Sequence, residues 1–486
     1  MVCEGTGRGQ PPYASGVSEP SVSALLRLDV SREEALERAA QIVAAAWRSF
    51  DHARPDQPPI DERIRELLTD ELPELPAPTL GVLEDAGRVL DASLAQPRPR
   101  YFAFVGSSGL EVGVLGDLLA SCFDVNLAAW AAAASEVEEQ AVRWVGDFVG
   151  FPAEGGAFTS GGTVSNVTAL AAAREAALPG SRRDGTAGRQ LALYCSREAH
   201  YSVIRAAELL GIGSSNVRVL PIDEQRRLVP EAVAEAIDSD RSAGVVAVAV
   251  VATAGTTLTG AVDPIDGLAD VCDSRGVWLH VDGAYGLPAA AVPAFAPLFA
   301  GVERADSAAV DAHKWMYLPK ACGVCLVRRR SDLVAALAHE EDYFPHERRD
   351  VNPVDITFEY SRPFRALKLW IAFRAHGAQA FRDAIAVNLR QARLLYDEVG
   401  ARDELAAICG PPPLSIVPFR HVATAGDLDV HNRRLVRALQ DDGRVWVAPA
   451  TVDGRICLRP CVVNFRTTDD DVRAMVEIAC ELARGL

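Results

Sequence analysis

The chain has 486 residues, 49% of them hydrophobic and 24% charged. That balance fits folded globular material in two or three packed units and excludes a disordered chain. The formal net charge of −17 repels a phosphate backbone on average, which argues against nucleic acid and anionic membrane as partners.

The first twenty or so residues read as a loose tail and lack the apolar core of a signal peptide. Within them "GTGRGQ" imitates a dinucleotide fingerprint, but no strand precedes it and no helix pattern follows. Ser31 and Glu34 fit a capping box, and the helix they open carries Leu36, Ala40, Val43, Trp47 and Phe50 on one face. Proline clusters at 55–59 and 73–78 punctuate further helices to about residue 96. Such a helical leader with an apolar stripe needs another surface to lie on.

From about 97 to about 377 the pattern becomes strands alternating with helices, which predicts a mostly parallel α/β sheet with ligands beyond the carboxyl ends of its strands. In "FTSGGTVSNVTALAAAREAA" an irregular segment ends at Gly161 and Gly162, and Thr163 opens a helix to about residue 178. Small residues before a helix N-terminus suit an anion, though a plain glycine turn with a threonine cap reads equally well. "NVT" at Asn166 matches a glycosylation acceptor and carries no weight without a secretory route. The strand "LALYC" leads to His200 in "REAHYSV", a residue that alone would be read as structural. Strands follow at "VRVL" and "VVAVAVVA", separated by a helix at 230–237. The second lies in the longest apolar run, which is too short to span a bilayer.

After a helix at 265–272, the apolar strand "VWLHV" ends in Asp282, Gly283 and Ala284. A carboxylate at a buried strand end needs a partner; His280, on the same strand face, reads as structural. Another short strand, "SAAV", precedes Lys314, which sits between His313 and Trp315. A lysine in low dielectric readily becomes a neutral amine that condenses with aldehydes. "CGVCLV" contains a CxxC but reads as a buried strand, and no second ligand pair is spaced for a metal. The ten cysteines suggest reduced thiols and a cytoplasmic location. The remainder, 378–486, is smaller and mixed, with a strand in "RICLRPCVV" and a terminal helix bearing Val472, Met475, Val476 and Leu482.

The glycine turn, His200, Asp282 and Lys314 together ask for one ligand with an anionic end, a flat face, a cationic ring nitrogen and an aldehyde. Pyridoxal 5'-phosphate has all four, and a carboxylate that keeps its ring nitrogen protonated makes the ring an electron sink.

The ordered motifs "PRYFAFVGSS", "LGDLLAS", "TSGGTVSNVTAL", "EAHYSV", "ATAGTTLTGAVDPI", "HVDGAYG", "DAHKW", "SRPFRALKLW" and "VNFRTT" resemble the pyridoxal-phosphate-dependent group II amino-acid decarboxylases, close to the bacterial aromatic-L-amino-acid decarboxylase type. The likeness runs from about 97 to the end. It implies a fold-type-I α/β architecture: a helical segment at 1–96 packing on a dimer partner, a large cofactor domain at 97–377 with a seven-stranded-type sheet, and a small α+β domain at 378–486. It implies that Lys314 binds the cofactor aldehyde, Asp282 the ring nitrogen, and Gly162, Thr163 and His313 the phosphate. His200 stacks on the ring, Ala284 packs beneath it, and Thr257 lies near its hydroxyl and the substrate carboxylate. Tyr343, assisted by His346, is implied as the proton donor after carbon dioxide leaves. The implied assembly is a homodimer with the active site at its interface, where Tyr101 and Phe104 of "PRYFAFVGSS" reach the neighbour's pocket.

Four features depart from the family pattern. Asp311 stands where some relatives have asparagine near the phosphate, "AAWAAAASEVEEQ" lacks the Ser-Pro often seen there, the loop after Tyr343 is shorter than in animal relatives, and Ser361 tilts the ring preference slightly away from indole. The implied reaction, within amino-acid metabolism, turns an L-amino acid, by resemblance an aromatic one, into its amine and carbon dioxide. The alternatives are oxygen-consuming conversion to an aldehyde, another carbon–carbon lyase reaction, and a non-catalytic binding protein on the same scaffold.

Overall fold

The computed structural model describes residues 21–52, 60–94, 97–339, 351–422 and 426–486. Residues up to Arg48 with those from 60 to Ser93 form one compact unit, and the remaining described residues form the other.

The smaller unit is helical, with helices at Glu62–Thr69 and Thr79–Asp91 beside most of a helix at Arg32–Phe50. The Glu34 amide donates to Ser31 Oγ, so the cap read from the sequence forms. Arg38 and Glu84 form an ion pair at 2.8 Å. No residue of the Arg32–Phe50 helix is fully buried, and Leu36 is exposed.

One sheet of the larger unit has seven strands: β1 (Gly155–Thr159), β2 (Leu191–Ser196), β3 (Val217–Leu220), β4 (Val246–Thr253), β5 (Trp278–Asp282), β6 (Ser307–Asp311) and β7 (Gly323–Val327). Their order is β1-β7-β6-β5-β4-β2-β3, and only β7 runs antiparallel to its neighbours. β2, β5, β6 and β7 are buried along their whole length, the pattern of a sheet covered on both faces. The six strands read from the sequence for this sheet all form. β1 falls in the stretch read as irregular, because Gly155 and Gly156 have poor strand propensity. Glycine is required there: a Cβ on Gly156 would lie 2.3 Å from the Cys325 carbonyl oxygen across the ladder.

A second, antiparallel sheet contains β8 (Leu405–Ala407), β9 (Phe419–His421), β10 (Ala448–Val452) and β11 (Arg455–Arg459), in the order β10-β11-β9-β8. It packs with the helix Asp469–Ala483, whose Thr468–Asp471 capping box starts the turn and whose Val472, Met475 and Val476 are fully buried. The helical run Ala366–Gly400 is interrupted at Gly377 (φ 75°, ψ 152°).

Parallel pairing sets Thr253, Asp282 and Ala309 side by side, so β4 and β5 end together and β6 runs two residues further, to Asp311. Asp263 fixes the end of β4 by accepting the amides of Thr253 and Leu228, each at 2.7 Å. The segment after β6 is clamped from the Ala366–Gly400 run: Asn388 Oδ1 accepts the Trp315 indole N–H at 3.2 Å and the Tyr317 hydroxyl at 2.8 Å. Both aromatic side chains are buried. Asn388→Leu strands two buried donors and is expected to cost about 2–4 kcal/mol, measured as a lower urea midpoint with an unchanged slope.

Candidate active site

Gly161 follows β1, and the helix Gly162–Ala177 begins one residue later. The Gly161 amide donates to Thr159 Oγ1 at 3.3 Å, and Thr159 shares a 2.8 Å hydrogen bond with Ser165. A Cβ on Gly162 would lie 2.8 Å from the Ala284 Cβ and 3.0 Å from Asp311 Oδ2. The helix start is therefore seated against the ends of β5 and β6, with first-turn amides that have no intrahelical acceptor.

Asp282, at the end of β5, is buried. Its Oδ2 accepts from Asn166 Nδ2 at 2.9 Å, and its Oδ1 accepts from the Ala284 amide at 3.3 Å. Asn166 also donates to Ser202 Oγ at 2.9 Å, which lies 2.9 Å from His200 Nδ1. That ring nitrogen accepts the Ser202 amide at 3.2 Å, so the neutral ring carries its proton on Nε2. Burial is the largest influence on His200 and holds it below the ordinary histidine pKa, against the opposing pull of Asp282.

Lys314 Nζ lies 2.8 Å from Asp311 Oδ2. The lysine side chain is 26% exposed and the aspartate 3%. The Asp311 carboxylate thus turns toward the lysine, and its Oδ1 has no hydrogen-bond partner among the described residues. His313 Nδ1 accepts the Cys322 amide at 3.2 Å, and burial lowers its pKa. Tyr285 stacks on Trp315 with centroids 5.3 Å apart, and its hydroxyl meets Ser415 Oγ at 2.5 Å.

One cavity of about 360 Å³ is lined by Gly162, Thr163, His200, Thr257, Asp282, Ala284, His313 and Lys314. Asn166, Ser202, Thr253, Tyr285 and Asp311 join the same wall. Of these, Asn166 is the one the sequence reading missed most plainly. Its signal was there: asparagine is a poor residue inside a helix, and it lies one turn beyond Gly162, on the same face. Thr257 is at the exposed rim. Tyr343 and His346 lie outside the described residues. Tyr101 is buried, with burial pushing its hydroxyl up to about 12, whereas Phe104 is 61% exposed.

Cys322 and Cys325 are buried, the second of them in β7, and burial pushes both thiols up to about 12, unlike metal-ligating thiolates. Among the described residues no group of three or more His, Cys, Asp or Glu is arranged to hold a metal ion. None of the described helices is long and apolar enough to cross a membrane.

The sequence model for the pyridoxal-dependent decarboxylase conserved domain matches residues 61–422. An aromatic-L-amino-acid decarboxylase of Bacillus atrophaeus is 32% identical over 460 residues, covering 92% of this chain and 94% of the relative. Tryptophan decarboxylase 1 of Oryza sativa subsp. japonica is 33% identical over 408 residues, covering 78% of this chain and 79% of that protein. The crystal structure of Oryza sativa TDC with PLP and tryptamine superposes with a TM-score of 0.88 at 28% identity, covering 94% of this chain and 99% of that one.

Behind the cavity wall, His280 is fully buried, and burial lowers its pKa to about 4. The unfolded value is about 6.5, so as pH falls the unfolded chain takes up this proton first. The stability that the neutral ring contributes is complete above about pH 6.5 and is lost as pH falls toward about 4, roughly 3 kcal/mol in all. Urea unfolding of the parent and His280→Gln should therefore give a stability difference that shifts by about 3 kcal/mol between about pH 7 and pH 4. A difference independent of pH would contradict this assignment.

Proposed function

The chain belongs to the pyridoxal-dependent decarboxylase family, and on that premise we propose that it removes the carboxyl group of an aromatic L-amino acid as carbon dioxide and releases the amine. It is a pyridoxal-phosphate-dependent carboxy-lyase. The observation that carries the reaction is the convergence of Lys314, Asp282, His200 and the glycine turn on one cavity; the aromatic substrate is supported by relatives named for aromatic amino acids.

The donor set fits the cofactor. Asp311 Oδ1 and Thr253 Oγ1 are buried without hydrogen-bond partners among the described residues, and both residues line the cavity. The Gly162 position has no room for a side chain beside Ala284 and Asp311, leaving backbone amides to meet an anion. Lys314 would hold the aldehyde, Asp282 the ring nitrogen, and Gly162, Thr163 and His313 the phosphate. His200 would stack on the ring, Ala284 would pack against it, and Thr257 would stand by the substrate carboxylate.

When bound, pyridoxal phosphate supplies an aldehyde that holds the substrate amine and a protonated ring that accepts the electron pair left by carbon dioxide. Around it, Lys314 must give up a proton to act as a nucleophile, and Asp311 Oδ2, 2.8 Å away, is the acceptor in reach. Asp282 presents acceptor oxygens that favour a positive charge on the ring nitrogen. His200, neutral and fixed at Nδ1, offers a ring face without adding a charge. Tyr285, stacked on the buried Trp315 that follows the lysine, supplies an aromatic part of the cavity wall. Tyr343 is the proposed proton donor to the substrate carbon.

The assembly we propose is a homodimer in the cytoplasm. Supporting it, the helix Glu111–Phe123 leaves Leu115, Leu118 and Leu119 about half exposed and Phe123 76% exposed. Phe104 is exposed as well, and a second copy would bury such apolar side chains. The nine described cysteines form no disulfide, in keeping with a reducing compartment.

Purified protein should be yellow, and borohydride should bleach it while fixing the cofactor on Lys314. Lys314→Ala is expected to lower carbon dioxide release by roughly 10³-fold or more. Across a panel of amino acids, aromatic substrates should exceed aliphatic and acidic ones by at least about tenfold in kcat/KM. Oxygen consumption and ammonia release in step with carbon dioxide would instead identify an aldehyde-forming enzyme.

A further inference from the structure

We propose that Asn166 and His280 are positioning residues, which turn a one-way chain of hydrogen-bond donors starting at the Trp278 indole into a fixed acceptor orientation of Asp282. The proposal rests on the reading that Asp282 meets the cofactor's ring nitrogen.

The direction of the chain is fixed from both ends, because an ionised carboxylate can only accept and an indole N–H can only donate. Ser307 Oγ therefore accepts from Trp278 Nε1 at 2.8 Å. At the other end Asn166 must turn Nδ2 to the Asp282 carboxylate and Oδ1 to His280 Nε2, so Nδ1 of the neutral ring is an acceptor and takes the Ser307 hydroxyl hydrogen, also at 2.8 Å. The single proton of that imidazole sits on Nε2, which donates to Asn166 Oδ1 at 3.0 Å. The asparagine amide is thus held from both sides. Its Nδ2 donates one hydrogen to Asp282 Oδ2 and the other to Ser202 Oγ, each at 2.9 Å. Ser202 is thereby free to turn its own hydrogen toward His200 Nδ1 at 2.9 Å. A single amide sets both groups assigned to the cofactor ring.

Burial makes the arrangement rigid. Ser202, His280 and Ser307 have no exposed surface, Asn166 is 1% exposed, and Trp278 and Asp282 are at most 6% exposed. No solvent is available to replace a lost partner, so each donor is specified by its neighbours in the chain. The low pKa of His280 agrees with the neutral ring that the chain requires. The network's exit is also informative: it ends on an acceptor that lines the cavity. A carboxylate has about four lone-pair sites, so Asp282 keeps acceptor capacity beyond its bonds to Asn166 and Ala284.

The test compares pyridoxal phosphate with its 1-deaza analogue, in which a C–H replaces the ring nitrogen. Full-length protein freed of cofactor is titrated with each compound, and binding is followed by intrinsic fluorescence. The parent should prefer pyridoxal phosphate by roughly 10–100-fold, the range for a hydrogen bond to a charged group. In Asn166→Ala that preference should fall to a few-fold, while affinity for the analogue stays within about threefold of the parent. His280→Phe should lower the preference, and His280→Gln, which keeps a donor toward Asn166, should restore part of it. Equal weakening toward both compounds in Asn166→Ala would overturn the proposal and leave only a packing role. A preference lost in Asp282→Asn but intact in Asn166→Ala would overturn it while sparing the ring-nitrogen reading. A parent without any preference would overturn both. Independently of any variant, ¹⁵N spectra of histidine-labelled protein should show His280 as one neutral tautomer protonated on Nε2. A proton on Nδ1 would reverse the chain and refute it.

Discussion

Two carboxylates end adjacent apolar strands, Asp282 on β5 and Asp311 on β6. An isolated ionised carboxylate in such surroundings is strongly unfavourable, and much of the nearby structure answers that problem. Asp282 is met by neutral donors, the Asn166 amide and the Ala284 backbone. Asp311 is met by a cation, Lys314. The two solutions have different chemical consequences. Neutral donors leave a carboxylate able to receive another positive partner, whereas an ion pair can be exchanged when the lysine changes its bonding.

The sheet was legible because its strands are continuous apolar runs, the pattern that burial on both faces imposes. β1 was not, since Gly156 admits the Cys325 carbonyl and Gly155 admits Arg330, and both neighbours are distant in sequence. β8 and β9 span only three residues each, too short for a two-residue period to stand out from turns. Lys314, Asp282, His200 and the glycine turn could be read because each follows or precedes a strong local pattern. Asn166 could not be weighted in the same way, because its importance depends on His280 and Asp282, more than a hundred residues away. The motif order carried the family resemblance, and the conserved-domain match agrees with it.

The three histidines around the site share one electrostatic condition. For His200, His280 and His313 burial is the largest influence, and it lowers each pKa despite nearby carboxylates that act in the opposite sense. Neutral rings are useful here as directional acceptors and donors: His313 takes the Cys322 amide and His200 takes the Ser202 amide. Asp263 shows the converse case. Burial raises its pKa to about 6, even though two short backbone hydrogen bonds favour its charged form.

The clamp from Asn388 onto Trp315 and Tyr317 has a mechanical meaning for the residue just before them. With the main chain held on a fixed post, Lys314 has only its own methylene tether with which to travel. Its excursions are rotations about side-chain bonds, so the amine sweeps a small, repeatable arc instead of following the slower wandering of a loop.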